Sequence, residues 1–193
     1  MKPANTLYIK NMVCNRCIKV IKEEFDKLGI VINKISLGEV ETEQPVSSLP
    51  MEKIVKILDE NGFELIEDKK VKIVERIKNF LIKIIYDESF IMDENQKFSA
   101  LIEKELGLDY NYLSGLFSVQ ESITIEHFII LQKIERAKEL LKYGELTLSE
   151  IAYKLGYSSV QHLSGQFKKI TGFTASQFRS ITDNMRKPLD RIV

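Results

Sequence analysis

Two segments of this 193-residue chain are copies of one pattern, LIEKELGLDYNYLSGLF at 101–117 and EIAYKLGYSSVQHLSGQF at 150–167. Each reads as an apolar helix, a Leu-Gly step, a short turn, and a second helix carrying Leu-Ser-Gly-x-Phe. A helix-turn-helix written twice restricts the fold more than any other feature of the chain, because each copy must bury its own apolar stripe. Gly107 and Gly156 stand where the turn needs a backbone with positive φ. Leu113 with Phe117, and Leu163 with Phe167, lie at i, i+4 and so face one side, anchoring each second helix in a core. A long helix over about 124–143 joins the copies, and from residue 95 onward the whole chain is helical in period.

The N-terminal part follows another plan. TLYIK alternates like a strand, with Leu7 and Ile9 on one face and Tyr8 and Lys10 on the other. Cys17, Ile18, Ile21, Phe25 and Leu28 then form a helical stripe that Gly29 ends. VINKISL alternates again and places Val31, Asn33, Ile35 and Leu37 together. EVETE is a short returning strand of high charge. Pro50 opens a second helix with the stripe Met51, Ile54, Ile57 and Leu58, and FELIE is a last strand. The order strand, helix, strand, strand, helix, strand predicts an α+β, ferredoxin-like βαββαβ domain over residues 1–68. Residues 69–94 form an amphipathic connector helix and linker, with Ile73, Val74, Ile77, Phe80, Leu81, Ile84 and Ile85 on its stripe. That stripe packs on the next domain of the same chain or on a second copy in a homodimer. Residues 95–193 form an all-α domain of two helix-turn-helix units.

The only two cysteines, Cys14 and Cys17, lie in NMVCNRC at the start of the first helix. Helix N-termini expose unpaired N–H groups and favour negative charge, which predicts lowered thiol pKa values there. Two close thiolates suit a soft ion, Cu(I) first, with Zn(II) or another soft metal as alternatives. Zinc wants four ligands, and the chain's histidines, His127 and His162, fall in the other domain, so tight zinc binding needs two chains. A dithiol–disulfide switch and a purely structural pair stay open beside the metal reading. Met12 packs inward as an anchor for the loop or serves as a thioether ligand. Arg16 offsets the charge of a bis-thiolate or is simply solvated.

The formal net charge is zero, so the chain as a whole carries no basic excess. Its distribution is uneven. Residues 1–68 carry 9 Lys/Arg against 12 Asp/Glu, whereas from Thr147 onward the count is 7 against 3. The first helix-turn-helix, over 95–125, is acidic by two charges. Phosphate neutralisation supplies much of DNA affinity, so the second unit is the candidate reader of double-stranded DNA. Its second helix, about 158–169, puts Ser158, Ser159, Gln161 and His162 at the end that enters a major groove in this motif. Gln161 suits an adenine edge. Lys168, Lys169, Arg179, Arg186 and Lys187 suit phosphate. Gly115 and Gly165 contact no base edge and cost helix stability of about 1 kcal/mol each against alanine.

IERAKELLKYGELTLSEIAYKLGYSSVQHLSGQFKKITGFTASQFR resembles the C-terminal DNA-binding half of AraC-type transcription regulators. The resemblance rests on Arg136-Ala137, Leu140-Leu141, Ile151-Ala152, Gly156-Tyr157, Phe167-Lys168-Lys169, Thr171-Gly172 and Phe178-Arg179, and covers about 95–180. Residues 1–68, with MVCNRC after the first strand, resemble heavy-metal-associated (HMA) domains of copper chaperones and metal pumps. Together the resemblances imply a cytoplasmic, non-enzymatic, Cu(I)-responsive transcription regulator. The alternative is an adaptor that exchanges copper with a metal-delivering protein and uses its C-terminal domain for protein contacts. No run of apolar residues is long enough for a membrane span, and no Ser/His/Asp set or phosphate-cradling glycine loop points to catalysis.

Overall fold

The computed structural model describes residues 5–66, 68–87 and 97–180. Arg186 and Lys187, and the far ends of the three segments drawn from the sequence, lie outside the described residues. The chain divides into two compact units, Met1–Asn79 and Phe80–Val193.

The first unit runs β1 (Thr6–Lys10), α1 (Asn15–Lys27), β2 (Ile32–Ser36), β3 (Glu39–Thr42), a 3-10 turn (Val46–Ser48), α2 (Met51–Glu60) and β4 (Glu64–Leu65). The strands form one sheet in the order β2-β3-β1-β4, every neighbouring pair antiparallel. Leu7, Ile9 and Val40 of the sheet pack with Ile21 and Phe25 of α1 and with Ile54 and Leu58 of α2. The charged EVET segment is a central strand, because Val40 and Thr42 are fully buried while the glutamates alternate outward. Strand β2 departs from the simple alternation read in the sequence. A register shift between Ile32 and Lys34 changes its parity, so Ile32 and Ile35 pack on the core and Val31 and Asn33 stay exposed.

Helix α3 (Lys69–Tyr86) begins inside the first unit. Its N-terminal half meets the sheet's other face: the Lys72 ammonium lies 4.6 Å from the Tyr8 ring centroid, and Arg76 pairs with Glu39 at 3.1 Å. Val74, Ile77, Leu81, Ile82 and Ile85 are buried, as are Glu75, Lys78 and Asn79. Burial thus takes in polar side chains beside the apolar stripe, whose Ile73, Phe80 and Ile84 are half-buried. Glu75 and Lys78 pair at 3.0 Å, which offsets part of the cost of taking both from water.

The second unit holds α4 (Phe98–Leu106), α5 (Tyr110–Glu121), α6 (Ile125–Tyr143), α7 (Leu148–Lys154), α8 (Val160–Thr171) and α9 (Ala175–Ser180). The repeat in the sequence is a repeat in space. Leu113 and Phe117 are fully buried in the first copy, Leu163 and Phe167 in the second. Phe117 stacks edge-on against Phe128 at 5.5 Å, and fifty residues later Phe167 does the same with Phe178 at 5.4 Å. Capping repeats too. Asp109 and Ser159 each accept a backbone N–H at the start of the second helix of their unit. Thr147 and Glu150 form a complete capping box on α7. The second copy's core adds Ile134, Ala137 and Leu141 from α6 and Ile151 from α7. Among the described residues, no helix is long and apolar enough to cross a membrane.

Candidate functional sites: a cysteine pair and a helix-turn-helix face

The cysteine loop is fixed from both sides. Asn11 takes a positive φ of 70° and its amide donates to the Gly62 carbonyl at 3.0 Å. Met12 is fully buried in the core, so it anchors the loop and does not point toward the thiols' solvent side as a free ligand. Cys14 is the N-cap of α1, and its carbonyl accepts the amides of Cys17 and Ile18. Both cysteines are free and half-buried, with their sulfurs 3.4 Å apart. The Cys17 thiol also donates to the Asn11 carbonyl at 3.8 Å.

The electrostatics at Cys17 run against the expectation from its helix position. Burial pushes its thiol above the ordinary value, the Val13 amide pulls the other way, and the Cys14 thiol raises it further. Desolvation outweighs the helix terminus here because the second cysteine faces the core side of α1. Arg16 is exposed. Among the described residues, no cluster of three or more His, Cys, Asp or Glu forms, so the pair stands without a third side-chain ligand of those types.

On the second helix-turn-helix, α8 begins at Val160, so Ser158 and Ser159 precede it. Ser159 is its N-cap, with its hydroxyl accepting the His162 amide at 3.1 Å. Gln161, Gly165, Lys168 and Lys169 share the exposed face. His162 is exposed but engaged. Its ring meets Tyr157 edge-on at 5.3 Å, and its nitrogens lie 3.4 Å from the Ser158 hydroxyl and 3.2 Å from the Gln166 amide. Tyr157 in turn donates to Gln166 at 2.9 Å. The sequence offered no sign of this network, since its members are spread over the turn and two helical turns. A β-carbon at Gly165 or Gly115 would meet nothing within 4 Å, so packing does not require either glycine. The Arg179 guanidinium donates to the Leu146 carbonyl, which ties α9 to the loop before α7.

The family-model match falls within the second unit. Residues 102–181 match the family model described as a helix-turn-helix domain. The F1 operon positive regulatory protein of Yersinia pestis is 37% identical over 75 residues, 39% of this chain and 25% of its own length. The Msm operon regulatory protein of Streptococcus mutans is 30% identical over 83 residues, 43% of this chain and 30% of its own. The chain thus spans 25% and 30% of the lengths of these two relatives. The C-terminal domain of the response regulator yesN from Fusobacterium nucleatum is 28% identical with a TM-score of 0.45, covering 55% of this chain and 96% of that one. Residues 102–181 of this chain are thus similar to helix-turn-helix domains, and the matched relatives are several times longer than the matched region.

Proposed function

We propose that the protein is a cytoplasmic, non-enzymatic transcription regulator that binds double-stranded DNA through its second helix-turn-helix and senses a soft metal ion at Cys14 and Cys17. The observation that carries the DNA reading is the exposed face of α8, where Gln161 stands near the capped N-terminus and Lys168 and Lys169 near the other end. A glutamine at the start of such a helix pairs with an adenine edge, and the lysines neutralise phosphate. The helix-turn-helix relatives, both named as operon regulators, support this reading.

The first unit reads as a ferredoxin-like, heavy-metal-associated domain. Its element order and antiparallel β2-β3-β1-β4 sheet support that assignment. The cysteine chemistry fits a soft ion. Two free sulfurs 3.4 Å apart are closer than twice a metal–sulfur bond of about 2.3 Å, so one ion reaches both. Cu(I) accepts two soft ligands, while Zn(II) would need further ligands from a second copy or a metal-delivering protein. The adaptor reading draws on a separate observation, the exposed Gly115 and Gly165, which offer no side chain to a base edge, and the acidic first copy.

Fluorescence anisotropy with duplex DNA from upstream of the protein's own gene separates the two readings. Salt-dependent binding that Gln161→Ala alters in base preference, and Lys168→Ala weakens across sequences, supports the regulator. Absence of duplex binding with retained Cu(I) uptake leaves the adaptor. Cu(I) uptake at one ion per chain that survives Cys14→Ser under a competing chelator would remove the metal reading.

A further inference from the structure

Within the second unit a cleft of about 490 Å³ opens between the two helix-turn-helix copies, in the size range of small-molecule sites. Its walls are apolar and aromatic: Phe98 from α4, Ile129 and Ile130 from α6, and Tyr157 from the α7–α8 turn. Lys133 of α6 lies in this lining. Its ammonium stands 5.1 Å from the Phe98 ring centroid and 5.2 Å from that of Tyr157, held between two aromatic faces. Among the described residues no carboxylate pairs with it. Among the described residues, Glu126 is the one carboxylate in the cleft lining. It is occupied by the Tyr110 hydroxyl at 2.5 Å and sits two helical turns, about 10 Å, from Lys133 along α6. Asp87 and Lys154 line a separate pocket of about 20 Å³ beside Lys133.

A cation set among rings without a counter-ion lacks what it would have in water. Desolvation pulls its pKa down from an ordinary 10.5 to about 8, which measures how poorly the site compensates the charge. Such a site is completed by an anion whose body is as apolar as the walls. The rim adds donors suited to the same ligand, Lys97 on one side and Gln166 and His162 of α8 on the other.

We infer that this cleft binds a small organic carboxylate with an apolar or aromatic body, seated with its anionic end at Lys133 and its body along Ile129, Ile130 and the outer face of Phe98. Binding itself is independent of the DNA reading. Any effect of the ligand on DNA rests on that reading, because His162 and Gln166, which form the cleft's rim, belong to the helix proposed to enter the groove.

The test uses the full chain and 2-naphthoate as probe, with 2-naphthamide as its neutral counterpart, followed by probe fluorescence and by calorimetry. One naphthoate binds per chain, at least tenfold more tightly than the amide. Lys133→Met, which keeps the stem and removes the charge, weakens naphthoate at least tenfold and leaves the amide unchanged, while Lys104→Ala, at an exposed lysine outside the lining, changes neither. The naphthoate–amide contrast in the unmodified chain tests the idea even if the variant misfolds. Equal binding of the two probes, or naphthoate affinity indifferent to Lys133→Met, overturns the proposal. So does failure of naphthoate to bind at millimolar concentration while Lys133→Met flattens the salt dependence of duplex binding, for then the cleft seats a DNA phosphate.

Discussion

Replacing Lys133 by methionine should stabilise the helical unit, although it removes a charge from a largely aliphatic helix face. The native fold holds this ammonium between Phe98 and Tyr157 with its pKa drawn from 10.5 to about 8 by burial. Each pH unit of such displacement corresponds to about 1.36 kcal/mol, so keeping the charge at pH 7 costs about 3 kcal/mol. The two ring contacts return about 0.5–1 kcal/mol each, which leaves a net cost of about 2 kcal/mol. Methionine keeps the stem's volume and can lay its sulfur against the same rings. The sign with pH is also fixed. Between pH 8 and 10.5 the unfolded chain holds the Lys133 proton that the folded chain has released, so wild-type stability rises with pH across that window and the cost is fully present below it. The advantage of Lys133→Met is therefore largest near pH 7 and fades toward pH 10. Urea unfolding of the full chain by far-UV circular dichroism reads it as a midpoint shift of about 1 M at pH 7, and hydrogen exchange at α6 amides assigns it to this unit. A variant no more stable than wild type at pH 7, or a gain of equal size at pH 7 and 10, would refute the reasoning.

Gly38→Ala should destabilise the first unit by about 1–2 kcal/mol, because Gly38 has a φ of +81° and its β-carbon would collide with the Asn79 side-chain amide; thermal denaturation reads this, and a neutral result would place Asn79 elsewhere. Gln132→Leu should stabilise the second unit by about 1 kcal/mol, since the Gln132 amide is fully buried with both polar atoms unpartnered; a loss of stability in urea would show an unseen partner. Gly165→Ala should add about 1 kcal/mol to the same transition, with nothing within 4 Å to obstruct a methyl group. If duplex affinity falls at the same time, the glycine serves close approach of the helix to DNA. Ser122→Gly should add a few tenths to 1 kcal/mol, because Ser122 caps α5 in the left-handed region at φ 59° where its counterpart on α8 is Gly172; exchange of the last α5 amides checks it.

Much of this architecture was legible in local pattern. The doubled Leu-Ser-Gly-x-Phe marks both second helices, and the buried Leu113–Phe117 and Leu163–Phe167 pairs follow from helical spacing alone. Strand β3 was harder, because three charges in five residues hide a two-residue alternation that matters only once β1 and β2 flank it. The face of β2 was misread for a single reason: an inserted residue at the bulge reverses every side chain on one side of it, and no turn residue announces it. The thiol electrostatics also escaped the sequence. Helix position argued for an easier thiolate at Cys17, but its burial against the core is a tertiary fact. Lys133 is the same lesson on the other unit. In sequence it is one lysine among several on a long helix, and only the approach of Phe98 and Tyr157, from 35 residues before and 24 after, makes it different.

The hydrogen bond from the Cys17 thiol to the Asn11 carbonyl has a chemical direction. A thiol offers a hydrogen to that oxygen, but a sulfur that has given up its proton, to a metal or to a partner sulfur, has none to offer. The same two atoms then face each other with lone pairs alone. Asn11 already sits in a left-handed backbone conformation and holds the Gly62 turn through its side chain. The cost of that opposition therefore falls on a residue that is also bonded to the turn between α2 and β4. The contact is therefore one that only the protonated Cys17 can make.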